Sequence, residues 1–248
     1  MLKFKIRYFF TIALFAVAST DIPSYIKICS QNDPDLNKCI FNSIEQLRDN
    51  LAKGIPELDV PPIEPLFLEN LRLLRGPNSA SFDMNLTNIE VYGASTFKID
   101  NLKVDINKLL FTYNLTFSKL EFQGKYSIDA KILLFQLKGA GNLNGTFRDY
   151  RGNVVMKAKR IHKDNDTYLH FDKMKYGIYI NKLLINLNNL FNGDKLLGDA
   201  TNELLNENHD LILQDITPLL QNSLENLFLD VANKITRTFT YNELFPEN

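Results

Sequence analysis

Between residues 82 and 187 the chain alternates apolar and polar side chains with a period of two, and from 203 to 236 it switches to a helical period; few folds satisfy both. The alternating runs begin with Phe82, Met84, Leu86, then Phe97, Ile99, then Leu102, Val104, Ile106, then Phe111, Tyr113, Leu115, Phe117. They continue with Tyr126, Ile128, Ala130, Ile132, and later with Tyr176, Ile178, Ile180 and Leu183, Ile185, Leu187. Parallel strands buried on both faces would read as continuous apolar runs, so this pattern predicts antiparallel strands covered on one face only. The β region extends over roughly 67 to 191. Turn-forming residues place breaks at Gly93-Ala-Ser95, at Arg148-Asp-Tyr-Arg-Gly152 and at Lys163-Asp-Asn-Asp166.

From 203 to 236, Leu204, Leu205, Ile212, Ile216, Leu219, Leu220, Leu224, Leu227, Val231 and Ile235 form a wide apolar stripe, which predicts one long helix. Pro218 removes a backbone donor within it and is expected to bend or break it. Neither the apolar strand face nor this stripe can leave water alone. The predicted architecture is therefore α+β, a strongly curved antiparallel sheet wrapped around a long C-terminal helix. At about 25 cal/mol per Å² of apolar surface, that contact is the dominant stabilising term. A short N-terminal helix is read from Ile40, Phe41, Ile44, Leu47 and Leu51, stopped by Gly54 and Pro56. Pro56, Pro61, Pro62 and Pro65 then make the segment from Gly54 to Leu66 an extended connector.

Residues 1–18 place Lys3, Lys5 and Arg7 ahead of an apolar run ending in Ala16-Val17-Ala18, the layout of a cleaved secretory signal, leaving 19–248 as a single domain. The run falls short of the roughly 20 residues that span a bilayer, so no stable membrane insertion is expected. In an oxidising compartment the two cysteines, Cys29 and Cys39, are expected to pair and close a small loop. Four acceptor sequons, at Asn85, Asn114, Asn144 and Asn165, agree with secretion. Asn85 alternates against Met84 and Leu86, Asn114 against Tyr113 and Leu115, and Asn144 against Leu143, which puts all three on the polar face; Asn165 falls in a predicted turn. With 28 basic and 29 acidic side chains scattered along the chain, nucleic acid is not an expected partner.

No catalytic constellation is present: no G-x-S-x-G elbow, Walker loop, H-E-x-x-H or C-x-x-C. Gly139, Gly141 and Gly145 miss the dinucleotide spacing and sit among strands, where glycine permits a bend. His162, His170 and His209 lie far from the cysteines and have no recognisable nucleophile partner, so no metal, cofactor or catalytic residue is assigned.

Cys29 and Cys39 with nine residues between them, Gly54-Ile-Pro-Glu-Leu58 and Pro61-Pro-Ile-Glu-Pro-Leu66 open a series of matches along the chain. Tyr126-Ser-Ile-Asp-Ala-Lys-Ile-Leu-Leu134, Gly139-Ala-Gly-Asn-Leu-Asn-Gly-Thr-Phe147, Asn189-Leu-Phe-Asn-Gly-Asp-Lys-Leu-Leu-Gly-Asp199, Leu205-Asn-Glu-Asn208 and Tyr241-Asn-Glu-Leu-Phe-Pro246 complete it. In this order the motifs resemble the insect takeout and juvenile-hormone-binding proteins over essentially the whole mature chain. Ala130, Gln136 and His209 depart from residues common in that family, and the absence of a second disulfide favours the takeout branch. The resemblance implies a fold related to the lipid-binding TULIP domains, with an internal tunnel for an apolar ligand. It implies a monomeric carrier, not an enzyme, in haemolymph or another extracellular fluid, binding a juvenile-hormone-like terpenoid, a fatty acid or a related lipid. Candidate lining residues are Phe41, Ile44, Phe82, Phe111, Phe117, Tyr126 and Phe135 with Ile216, Leu220 and Leu227, and Tyr or Asn side chains would orient a polar ligand group. The alternatives are an extracellular interaction or signalling protein with a filled core and, behind it, a lipid-ester hydrolase.

Overall fold

A computed structural model describes residues 22–75, 82–132 and 135–247. The expected signal segment lies outside them. The chain runs through helix α1 (Leu36–Lys53), strands β1 (Leu66–Arg75), β2 (Phe82–Tyr92), β3 (Lys98–Asp105), β4 (Leu110–Ile132), β5 (Phe135–Lys163) and β6 (Asp166–Leu187), and helices α2 (Lys195–Glu207), α3 (His209–Thr236) and α4 (Tyr241–Leu244). All pairings are antiparallel in the order β1-β2-β4-β5-β6, and one edge of β4 is shared between β2 and β3. The sheet curls into a half-barrel, and α3 packs against both of its outermost strands, β1 and β6. The predicted curved sheet around a long C-terminal helix, with a short N-terminal helix, is the fold observed.

The short runs read from the sequence join into three very long strands of 23, 29 and 22 residues. Most strands in globular proteins have about 3–10 residues. The segment Arg148–Gly152, expected to be a turn, lies inside β5. Its turn chemistry has another use. On β4 the half-buried odd-numbered residues Phe111, Tyr113, Leu115 and Phe117 pack on the core, whereas the buried positions are even from Leu120 onward, so the inward face changes parity through the exposed pair Ser118-Lys119. The same change occurs at Arg148-Asp149 on β5 and at Asn181-Lys182 on β6, where two consecutive residues again point to solvent. These pairs stand side by side: Lys119 is opposite Arg148, and Arg148 opposite Lys182. Asp149 adopts φ 50°, and Asn181 donates its amide to the Asp149 carboxylate at 3.1 Å. Since all three strands turn over at one level, the hydrogen-bond register survives and the sheet acquires a transverse crease. On β2 and β3 the same inversion is achieved by bulges at Asn88 (φ 51°) and Asn101 (φ 54°).

The helical region also departs from expectation. It is two helices, divided at Asn208, while Pro218 lies within the continuous α3. Asn208 leaves helical geometry (φ −107°, ψ 30°), and its side-chain amide donates to Leu204 O at 2.8 Å, the same carbonyl that accepts its backbone N–H at 3.1 Å. Asp194 opens α2 by accepting from Leu197 N. The Gly54–Leu66 connector is compact, not extended. A 3-10 turn at Pro56–Leu58 and a bridge between Ile55 and Val60 bury Ile55, Leu58 and Val60 with Phe239 in a small second core.

Candidate functional site

The main core is hollow. A cavity of about 440 Å³ lies between the concave face of the sheet and α3, within the range of roughly 300–1,000 Å³ usual for small-molecule sites. Ile212, Ile216, Leu220, Leu224 and Phe228 of α3, one every four residues, form its helical wall. The inward positions of all six strands and Leu205 of α2 supply most of the rest, and Ile40 and Ile44 of α1 close one end together with Ile63, Ala94 and Phe97.

That end is fastened by polar contacts outside the wall. The Arg48 guanidinium donates to Ser95 O at 2.6 Å and Phe97 O at 2.7 Å and lies over the Phe97 ring. The Glu64 carboxylate accepts from Gly93 N, Ser95 N and Ser95 Oγ at 2.8–3.0 Å. Burial pushes the Glu64 carboxyl up, but these three bonds together hold it below the usual range.

Only three polar side chains belong to the described cavity wall, Tyr113, Tyr150 and Tyr176, and none is charged. Tyr150 Oη donates to Tyr176 Oη at 2.8 Å. Tyr113 points its hydroxyl at Met156 Sδ, 3.7 Å away. Burial raises all three, that of Tyr176 to about 12, and the neighbouring Tyr176 adds to the rise at Tyr113 and Tyr150. They are therefore neutral hydroxyls over the physiological range. Tyr176 accepts from Tyr150, so its own proton remains available as a donor.

Of the lining candidates, Ile44, Phe111, Phe117, Ile216 and Leu220 stand in the cavity wall. Tyr126 is buried outside it, donating its hydroxyl to Asn188 O at 2.8 Å. Phe41 and Leu227 are half-buried on α1 and α3 and do not belong to the wall. The side chains of Phe82 and Phe135 lie outside the described residues. Tyr or Asn side chains are expected from the sequence to supply the polar groups, but these three positions are not singled out there, although Tyr113 and Tyr176 sit at apolar positions of the alternating runs. Tyr150 was concealed by the crease, which moves inward positions of β5 from odd to even. Cys29 and Cys39 are disulfide-bonded, with Cα atoms 5.9 Å apart. Asn144 and Asn165 are exposed, and Asn85 and Asn114 are half-buried on the outer face. No group of three or more metal-ligating side chains occurs among the described residues, and none of their helices is long and apolar enough to cross a membrane.

Residues 9–246 match the model of a protein family described as haemolymph juvenile hormone binding protein. The circadian clock-controlled protein daywake of Drosophila melanogaster is 27% identical over 238 residues, covering 93% of this chain and 90% of that protein. Daywake of Drosophila yakuba is 26% identical over 241 residues, covering 92% and 90%. The crystal structure of Takeout 1 from Epiphyas postvittana aligns with a TM-score of 0.75 at 19% identity, over 89% of this chain and 100% of that one. At that identity the likeness establishes a common fold.

Proposed function

The chain belongs to the haemolymph juvenile hormone binding protein family, a family of ligand-binding proteins and not of enzymes, and from that premise we propose that it is a secreted carrier of a small lipophilic molecule held in the cavity. The observation that carries the proposal is an apolar-walled space of about 440 Å³ whose only polar atoms in described side chains are three neutral hydroxyls. A filled core would leave no such space. Such a wall fits a long apolar molecule with an oxygen that accepts a hydrogen bond, as in a terpenoid ester, a fatty acid or a related lipid. It does not offer the nucleophile and base of a hydrolase, because the described wall contains no Ser, Cys or His. Secretion is supported by the Lys3–Ala18 signal pattern, the disulfide and the outward placement of Asn85, Asn114, Asn144 and Asn165 as glycan acceptors. A monomer suffices, since one chain supplies the whole enclosure.

The test is uptake of an environment-sensitive fluorescent apolar dye, followed by its displacement with a terpenoid methyl ester or a long-chain fatty acid. The wild-type protein is expected to bind the dye and release it to these competitors. The double substitution Leu220→Phe and Leu224→Phe narrows the cavity at the middle of its helical wall, so it should weaken uptake while leaving the circular dichroism of the fold intact. A wild-type protein that takes up no dye and brings no lipid through gentle purification from secreting cells would exclude the carrier reading.

A further inference from the structure

A second, smaller chamber of about 200 Å³ adjoins the large cavity. The two share Ile40, Ile44, Phe111 and Phe171, which form the partition, and the Phe111 and Phe171 rings meet edge to face at 5.4 Å. The outer wall comes from the N-terminal segment around the disulfide, from Thr236 at the end of α3, and from Leu244 and Phe245 near the C-terminus. Its polar content differs from that of the large cavity. Ser43 is already engaged, donating to Lys27 O at 2.8 Å. Thr236 is only 8% exposed, and its Oγ1 has no hydrogen-bond partner. A buried hydroxyl without a partner is disfavoured, and in native structures such groups usually have a reason. Lys27 is the one charged residue of the wall and belongs to no ion pair among the described residues.

We propose that this chamber is a head-group subsite: it takes the oxygen-bearing head of a single-chain amphiphile whose tail passes the Phe111–Phe171 partition into the large cavity. Thr236 Oγ1 hydrogen-bonds the head oxygen, and Lys27 favours a free carboxylate over an ester or an alcohol. The subsite rests on the carrier reading of the large cavity but adds a demand on the ligand, a polar group at one end as distinct from a mid-chain oxygen. It also gives the N-terminal disulfide segment a part in binding.

The experiment measures affinities of palmitic acid, methyl palmitate, hexadecanol and hexadecane by dye displacement from the full mature chain. Wild type should bind the acid most tightly and hexadecane most weakly. Thr236→Val keeps the side-chain shape and removes the hydroxyl; it should weaken the three oxygenated ligands about tenfold and leave hexadecane unchanged. Thr236→Ser should retain the wild-type order, and Lys27→Gln should weaken palmitic acid alone. Because Thr236→Val removes an unpaired polar group, it should fold at least as stably as wild type. If it fails to fold, the ranking of the four probes on wild type and on Lys27→Gln decides. Equal affinities for the acid and hexadecane in wild type, or an equal loss for all four probes in Thr236→Val, would overturn the subsite while leaving the carrier intact. Failure of all four to displace the dye would instead remove the carrier reading itself.

Discussion

Tyr113, Tyr150 and Tyr176 place three hydroxyls in an otherwise hydrocarbon enclosure. Because Tyr176→Phe alone would free the Tyr150 proton, Tyr150 and Tyr176 are replaced together by Phe, which removes the available donor with its partner and nothing else of size. The expected result is a roughly 2- to 12-fold loss of affinity for an ester or ketone ligand, with no loss for a pure hydrocarbon, measured by displacement titration. Tyr176 also sets an alkaline limit. Burial raises the Tyr176 hydroxyl from 10.0 to about 12, so the folded state holds a proton that the unfolded chain releases earlier. Its stabilisation is complete below pH 10 and is lost as pH climbs toward 12. An ultraviolet titration of phenolate should show a late class of tyrosines whose ionisation coincides with unfolding, and Tyr176→Phe should shrink that class. Glycine acts by its absence of volume at a close approach. A Cβ at Gly145 would stand 2.3 Å from the Phe122 ring and 2.5 Å from Leu184 O, so β5 and β6 meet there only because no side chain intervenes.

At the scale of elements, the helices are fitted to β6 by side chains that imitate a strand. The Asn206 amide accepts from Ile185 N at 2.8 Å and donates to Ile185 O at 2.9 Å. Asn202 does the same with Leu187, and Asn233 with Phe171, while Glu225 accepts from Tyr176 N. Asn206→Leu preserves bulk but strands a donor and an acceptor of β6; it should destabilise the protein by about 2–4 kcal/mol in chemical denaturation. This device was beyond the reach of sequence reading. An asparagine on a helix face reads as a solvated residue, and only the fold reveals the strand edge opposite it. What was legible followed from periodicity: Leu183, Ile185 and Leu187 declare a half-covered strand, and Ile216, Leu220 and Leu224 a helix that must pack on it. The helix is interrupted at Asn208 and not at Pro218, where a bend or break is expected from the sequence, because a single proline's lost bond is tolerated in a well-packed helix, whereas the local amide of Asn208 competes directly with helix continuation. Arg148–Gly152 misled in a similar way, since positive φ serves a crease as well as a turn.

For the whole molecule, hollowness is the property that periodicity could not reveal. Alternating strands and an apolar helix demand mutual burial, but they are silent on whether the side chains meet in the middle. In the sequence the cavity was reachable only through likeness to other chains, and the positions of Ile44, Phe111, Phe117, Ile216 and Leu220 in its wall came with the three-dimensional arrangement. Ligand uptake should accordingly act on the entire fold. A lipid present at about 100 times its Kd is expected to stabilise the protein by about 2.7 kcal/mol, readable as a rise in Tm by scanning calorimetry, and the cavity-narrowed Leu220→Phe, Leu224→Phe double variant should show a smaller rise at the same lipid concentration.

The amides that hold α2 and α3 against β6 have one more effect, on how these molecules behave toward each other. A long outermost strand normally offers a row of open backbone groups on which a foreign strand can grow. Here Phe171, Tyr176, Ile185 and Leu187 have their outward groups occupied by side chains that cannot themselves be extended, so the helices act as built-in guards against fibril seeding. Replacing Asn202, Asn206 and Asn233 together with Ala should shorten the lag before a cross-β-sensitive dye responds, under gentle agitation at concentrations the wild type tolerates.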